Sequence, residues 1–157
     1  MRTRTLLVAL FLGACSTPAA LPVPIAVVGD GEHGVLLAHE VLAHHDVGAV
    51  CGRATDLEQW GQLCRSFAKT LAKRAQHEPD FDDEQVVMVP LPPLAALTGI
   101  VVSSEEGVDV LTLDVALQDV PRTACLLRMS RRACQMAVIL RDQQSGLEST
   151  VAVFSGL

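Results

Sequence analysis

Short apolar, β-branched runs separated by turn residues dominate the sequence from residue 85 onward. In the run 108–117 the alternate positions do not separate cleanly into apolar and polar: one side is apolar except for Asp109, and the other is half polar. This pattern suits an antiparallel sheet with one packed face. The sequence therefore predicts a chain rich in β structure. The predicted strands are residues 23–28, 47–51, 86–89, 99–102, 108–117, 124–129, 134–141 and 150–154. Residues 35–45 fit either a helix or a strand.

One segment has clear helical periodicity. Thr55 and Glu58 match a capping box, and apolar residues then recur at helical spacing. We predict an α+β fold in which a mainly antiparallel β sheet carries one amphipathic helix packed on it. The residues expected to face inward are Leu57, Trp60, Cys64, Phe67 and Leu71.

The first fifteen residues have the parts of an export signal. Two arginines precede the apolar run 6–12, which is too short to span a bilayer as a helix, and Gly13 and Ala14 precede Cys15. This order resembles the bacterial lipoprotein signal, in which the cysteine is acylated and becomes the mature N-terminus. We predict a signal peptide at residues 1–14 and lipid attachment, including palmitate, at Cys15. An ordinary signal peptide with a chance cysteine is the alternative.

Residues 16–24 carry three prolines and no charge, and this composition predicts an extended tether. We assign residues 15–22 to a lipidated tether and residues 23–157 to a single α+β domain. Ser16, in place of an aspartate, resembles the outer-membrane sorting pattern. The expected location is the outer membrane, with the domain facing the periplasm or the cell surface.

The net charge and the aromatic content of the predicted mature chain indicate which partners it can bind. Removal of residues 1–14 leaves ten basic and eighteen acidic residues, a formal net charge of −8, and the sequence contains no tyrosine and one tryptophan. Nucleic-acid binding needs clustered cations, and single-strand binding also needs aromatic platforms. We therefore expect no nucleic-acid partner, and attachment to a membrane through the N-terminal lipid.

Four further cysteines, an even number, fit an oxidising compartment after export. Three pairings are possible, and the local one joins Cys51 to Cys64 and Cys125 to Cys134. We predict these two disulfides, each adding about 3 kcal/mol through loop closure. Buried free thiols are the alternative.

Four of the five histidines fall between residues 33 and 45, so a metal site must be considered. The histidines of the string 39–44 are five apart, whereas a zincin helix needs them four apart. We expect a solvated segment, no metal and no cofactor. The alternative is a transition-metal site in the segment 33–46, formed by His39, Glu40, His44 and His45.

Three arginines, Arg128, Arg131 and Arg132, lie between Cys125 and Cys134. A disulfide there would present a basic tip on an acidic protein, and arginine is enriched at binding hot spots. We predict that this tip binds a partner; a solvated hairpin tip is the alternative. No nucleophile motif accompanies it, and we predict no enzymatic activity and no catalytic residues.

Several short motifs resemble the PrcB C-terminal family of protease-complex accessory lipoproteins. The resemblance covers residues 23–141, and a family Thr-Gly-Gly-Tyr turn is represented only by Thr98-Gly99-Ile100. It implies a mostly antiparallel β fold with one helix, no catalytic centre, and a role in stabilising or inhibiting a secreted protease. The matching positions are Val23-Pro24, Gly31-Glu32-His33-Gly34, Glu58-Gln59-Trp60, Asp80-Phe81, Glu84 and the run 86–89.

Together these features predict an exported bacterial lipoprotein with a non-catalytic role. It is expected to be a protein-binding or accessory module for an exported protein such as a protease. Periplasmic transition-metal binding is the second function considered.

Overall fold

The computed structural model describes residues 26–29, 36–73 and 78–156, and this part of the chain contains nine strands and one helix. The helix in this part of the chain is not long and apolar enough to span a membrane. The predicted signal peptide, Cys15 and the tether lie outside these ranges. The elements are β1 (Ala26–Gly29), β2 (Leu36–Ala43), β3 (Gly52–Ala54), α1 (Leu57–Ser66), β4 (Glu84–Pro90), β5 (Ala95–Glu105), β6 (Val108–Leu117), β7 (Thr123–Ser130), β8 (Gln135–Asp142) and β9 (Glu148–Phe154).

The strands form two sheets, where the sequence predicted one. One sheet has the order β1-β5-β6-β8-β9 and the other β2-β7-β4-β3. Most neighbours are antiparallel, but β1 with β5 and β6 with β8 are parallel. Side chains from both sheets share one core, so the sheets pack face to face as a sandwich. This core includes Val87, Val89, Ile100, Leu111, Leu113, Val115, Cys125, Leu127, Met129, Met136, Val138 and Leu140.

Helix α1 covers part of the outer face of the four-stranded sheet. Trp60, Leu63 and the residue after the helix, Phe67, pack with Val86 and Met88 of β4 in a second apolar cluster. The alternate β4 side chains face the core between the sheets. Strand β4 is therefore buried on both faces, which explains why residues 86–89 are apolar without alternation.

The helix cap lies one residue beyond the predicted capping box. Asp56 is the N-cap, and its carboxylate accepts a hydrogen bond from the Gln59 N–H at 2.8 Å. The Gln59 side chain in turn accepts from the Thr55 N–H and hydroxyl, each at 2.9 Å. These contacts satisfy the donors that a helix start leaves open. Leu57, predicted to face inward, is 60% exposed.

The prediction of two disulfides is wrong, because Cys51, Cys64, Cys125 and Cys134 are all free thiols. Cys51 packs against the core between the sheets, whereas Cys64 packs against the cluster beneath α1. The two thiols therefore lie on opposite sides of the four-stranded sheet. Their short separation in sequence does not bring them together.

Cys125 and Cys134 are kept apart by strand β7. Cys125 is buried in the core, and the chain stays extended from there to Ser130 before it reaches Cys134. Five extended residues carry the chain about 17 Å from Cys125. The Cys134 sulfur then lies 2.9 Å from Asp109 Oδ2 of β6, in the other sheet, and the two cysteines are not within bonding distance. Burial raises the pKa values of Cys51 and Cys125 to about 12, so these thiols are neutral and weak nucleophiles.

Two local predictions also change. The segment left open at residues 35–45 contains strand β2, which pairs with β7 over its whole length. The strand predicted at residues 47–51 is a loop. This loop connects β2 to β3, and both strands belong to the four-stranded sheet.

Candidate functional site

A groove of about 340 Å³ opens on the outer face of the four-stranded sheet, beside α1. The helix covers β3 and β4, so the outward side chains of β7 and β2 stay partly uncovered. Val86, Leu126 and Trp60 give the groove an apolar lining. Its volume is at the lower end of the range for ligand sites, about 300–1,000 Å³.

Polar side chains surround this lining, and Arg128 is the best fixed of them. Its guanidinium binds Glu84 in a bidentate pair, with Nε donating to Oε2 at 2.8 Å and Nη2 donating to Oε1 at 2.7 Å. Glu84 is itself buried and accepts a further hydrogen bond from the Asp80 N–H at 2.7 Å. A bidentate pair uses two of the five N–H donors of an arginine. Arg128 is thus a rigid donor at the groove.

The remaining polar groups at the groove are acidic or neutral. His39 and Glu40 come from β2, and Glu78 comes from the segment before β4. With Glu84 included, carboxylates outnumber the one guanidinium. The lining contains no serine, threonine or cysteine among the residues that the structure describes. The arrangement suits binding of an apolar side chain with a cation nearby.

The three arginines predicted to form one basic tip lie in different surroundings. Arg128 is within β7 at the groove, and Arg131 donates to the Phe81 carbonyl at 2.5 Å. Arg132 instead contacts Asp109 of β6 at 3.2 Å. Each guanidinium therefore has a partner within the domain, and no disulfide closes the loop that was expected to present them.

No protein-family model, curated protein or solved structure matches this chain. The resemblance to the PrcB C-terminal family therefore stays a prediction from the residues alone.

The histidine-rich segment is divided by the fold. His39 lies at the groove, whereas His44 follows β2 and is buried, with its ring 5.7 Å from that of Phe67. His45 is exposed beside it. No group of three or more histidine, cysteine, aspartate or glutamate side chains is placed to hold a metal within residues 36–73 and 78–156. His33 lies outside those ranges.

The chain beyond the helix is held by Asp46 and Thr70. The Asp46 carboxylate accepts from the Lys69 N–H, the Thr70 N–H and the Thr70 hydroxyl at 3.0, 2.8 and 2.7 Å. These hydrogen bonds to the charged form outweigh burial and lower the pKa of Asp46. The Nδ1 atom of His44 is 3.3 Å from the same hydroxyl. This contact ties the end of β2 to the segment after α1.

Burial lowers the pKa of His44, Arg122 lowers it further, and Asp46 opposes the decrease. The folded pKa is thus below the unfolded value of about 6.5. The unfolded state then binds more protons, so stability is highest above that value and falls as the pH drops through it. We expect the free energy of unfolding, measured by urea titration, to be lower at about pH 5.5 than at about pH 7.5.

The His44→Gln variant is expected to lose much of this pH difference, because glutamine does not titrate. His45→Gln is the matched control, since His45 is exposed, and it is expected to keep the difference. An equal pH difference in both variants would assign the effect to another group.

The groove itself had no signature in the sequence. Leu126 and Arg128 alternate with core residues along β7, which indicates that they face outward. Their position beside Trp60 depends on which strands α1 covers, and that depends on the order of strands in the sheet.

Proposed function

We propose that this chain is an exported lipoprotein, anchored through Cys15, that binds a segment of another exported protein in the groove beside α1. The role is non-catalytic, and no cofactor takes part. The observation that carries the proposal is the groove, which combines an apolar lining with a guanidinium fixed by a buried carboxylate.

An extended polypeptide segment fits this site. Strand β2 pairs only with β7 in the described part of the chain, so its other side forms an edge next to the groove. Extended peptides bind at such edges, with alternate side chains entering neighbouring pockets. Arg128 supplies N–H donors that suit a backbone carbonyl or a carboxylate.

The charge of the groove favours a partner segment with basic residues. The groove has an excess of carboxylates, and the described residues around it include the exposed Glu78. An apolar anchor followed by lysine or arginine therefore complements it better than an acidic segment does. The resemblance to the PrcB C-terminal family suggests an exported protease as the partner.

The test is crosslinked affinity capture of the tagged chain from its native membranes, followed by mass spectrometry. Ala38→Arg is the groove variant, because Ala38 is an exposed strand residue that lines the groove, and a long cation there obstructs it. Thr150→Arg is the matched control, since it adds the same side chain at an exposed position of β9. We expect one exported protein to be captured by the wild type and the control and lost with Ala38→Arg.

Equal capture by both variants would contradict binding in the groove. Capture of no exported protein by the wild type would contradict the accessory role as a whole. If the captured protein is a protease, its activity with and without the chain tests whether the chain stabilises or inhibits it.

Transition-metal binding was the alternative function. Among the described residues, His39 and Glu40 are at the groove, whereas His44 packs against Phe67. No observation favours this alternative, and we do not propose it.

A further inference from the structure

The two ends of the sandwich expose different side chains. Strands β5 and β6 run side by side, with Ala95 opposite Leu117 at one end and Glu105 opposite Val108 at the other. Five exposed aliphatic side chains lie at the first end, which we call the apolar end. They are Val47, Val50, Leu94, Leu117 and Leu147.

The strand registers place these residues together at one end. Leu94 accepts a hydrogen bond from the Gln118 N–H at 2.9 Å, next to Leu117. Leu147 is in the turn after β8 and accepts from the Asp142 N–H at 2.9 Å. In the other sheet, β2 ends opposite the start of β7, and the loop that contains Val47 and Val50 begins there.

The opposite end is acidic. The turn between β5 and β6 and the segment before β4 lie there, because β4 begins opposite the end of β7. Their exposed carboxylates define the acidic end: Asp82, Asp83, Glu105 and Glu106. Strand β6 has ten residues, so the two ends are about 30 Å apart.

The first strand shows where the N-terminal chain enters the domain. β1 is parallel to β5, with Ala26 opposite Gly99 and Gly29 opposite Val102. β1 therefore runs away from the apolar end, and Ala26 is its residue nearest to that end. Cys15 is eleven residues before Ala26, and a chain of that length spans at most about 36–40 Å.

A tether of this length reaches either end, so the chemistry of the two ends decides between them. Exposed aliphatic side chains are stabilised at the boundary between headgroups and acyl chains. Carboxylates are repelled by anionic lipids. The apolar end exposes fewer of them, Asp119 and Glu148, although Arg131 is exposed at the other end. Both effects favour contact between the bilayer and the apolar end.

We propose that the apolar end rests on the membrane that holds the lipid of Cys15, with the acidic end pointing away. This inference depends on the lipid anchoring proposed above. In this orientation the strands run roughly along the membrane normal. Arg128, which pairs with Glu84 toward the acidic end, then lies above the bilayer. The groove then opens sideways to a partner.

The test uses the lipidated chain in vesicles whose phosphatidylcholine carries brominated acyl chains, which quench nearby tryptophans. Leu117→Trp places a probe at the apolar end, and Glu105→Trp places a matched probe at the acidic end. Both positions are exposed, and both variants keep Trp60 as a common background. We expect Leu117→Trp to show a blue shift and quenching beyond the wild type, and Glu105→Trp to show neither.

Leu147→Trp is a second probe of the apolar end and is expected to behave as Leu117→Trp does. Equal quenching of the probes at the two ends, or stronger quenching of Glu105→Trp, would overturn the orientation. An unquenched Leu117→Trp chain that sediments as a dimer would assign the apolar end to a second copy and overturn it as well.

Mass spectrometry of the membrane-purified chain separates this inference from the proposed anchoring. If Cys15 carries no acyl groups, the anchoring and the orientation are both overturned. If Cys15 is acylated and the probes of the apolar end are not quenched, the orientation alone is overturned.

Discussion

Replacing Phe67 with alanine is expected to lower the free energy of unfolding by about 3–5 kcal/mol. Phe67 is 0% exposed and packs in the cluster between α1 and the four-stranded sheet. Truncation removes apolar contact and leaves a cavity, because the Phe67 backbone is fixed on both sides. Its N–H donates to the Leu63 carbonyl at 2.9 Å, and its carbonyl accepts from the Leu71 N–H at 2.7 Å.

Urea unfolding followed by tryptophan fluorescence measures this loss. Trp60 is the single tryptophan and lies in the same cluster, so its emission reports on the packing of α1. Leu57→Ala is the control, since Leu57 is in α1 but 60% exposed. This substitution is expected to change the free energy of unfolding by no more than about 0.5 kcal/mol. Similar losses in the two variants would mean that α1 is not packed as described.

Replacing Arg132 with alanine is expected to cost about 3 kcal/mol of stability. Asp109 is 1% exposed, and its carboxylate forms an ion pair with Arg132 at 3.2 Å, while Arg53 also interacts with it electrostatically. The Cys134 thiol, at 2.9 Å from the same carboxylate, is a weak donor. Without Arg132 the buried Asp109 carboxylate loses its ion-pair partner. The expected decrease in stability comes mainly from leaving that charge desolvated.

Two comparison variants identify the cause. Arg131→Ala removes a hydrogen bond to a neutral carbonyl and is expected to cost about 1 kcal/mol. Asp109→Asn combined with Arg132→Ala is expected to recover part of the loss, because no buried charge remains. If the combined variant is less stable than Arg132→Ala alone, the buried charge is not the cause of the loss. If Arg131→Ala lowers the free energy of unfolding as much as Arg132→Ala does, the expected difference between the two arginines is contradicted.

These arginines also show what the sequence could and could not predict. The cations and their spacing were evident, and their grouping suggested one binding surface. Their partners come from two other places in the chain: Phe81 and Glu84 from the start of β4 and the turn before it, and Asp109 from β6. Sequence spacing therefore predicts the presence of charges, whereas the fold decides whether a charge is paired.

The helix and most strands followed from local periodicity, because amphipathic alternation reflects which side chains are buried. In β6, Leu111, Leu113 and Val115 share one buried face, but that face packs against the other sheet and not under the helix, and Leu117 on the same side is exposed. Alternation does not specify which strands share a sheet. The chain passes from β6 to β7 in the other sheet and returns to β8 in the first, so a single-sheet prediction missed the second layer.

The thiols were mispredicted for a related reason. A short loop favours a disulfide only when the two sulfur atoms face each other. Cys51 and Cys64 lie on opposite sides of the four-stranded sheet, and this arrangement is set by the assembled sandwich and not by the local sequence. The groove was not predicted either, because its position and shape depend on the extent of sheet that α1 leaves uncovered.

The parallel pairing of β1 with β5 has a consequence for folding kinetics. β1 ends at Gly29 and its partner begins at Ala95, so this contact closes a long stretch of chain. Closing long loops before they gain contacts slows folding, and sandwiches with such non-local pairing fold in milliseconds to seconds. A chain synthesised from its N-terminus must keep β1 unpaired until more than half of the sequence has emerged. During that interval the thiols that are later buried remain accessible to oxidants, so the late closure of the sandwich lengthens the period in which they can be oxidised.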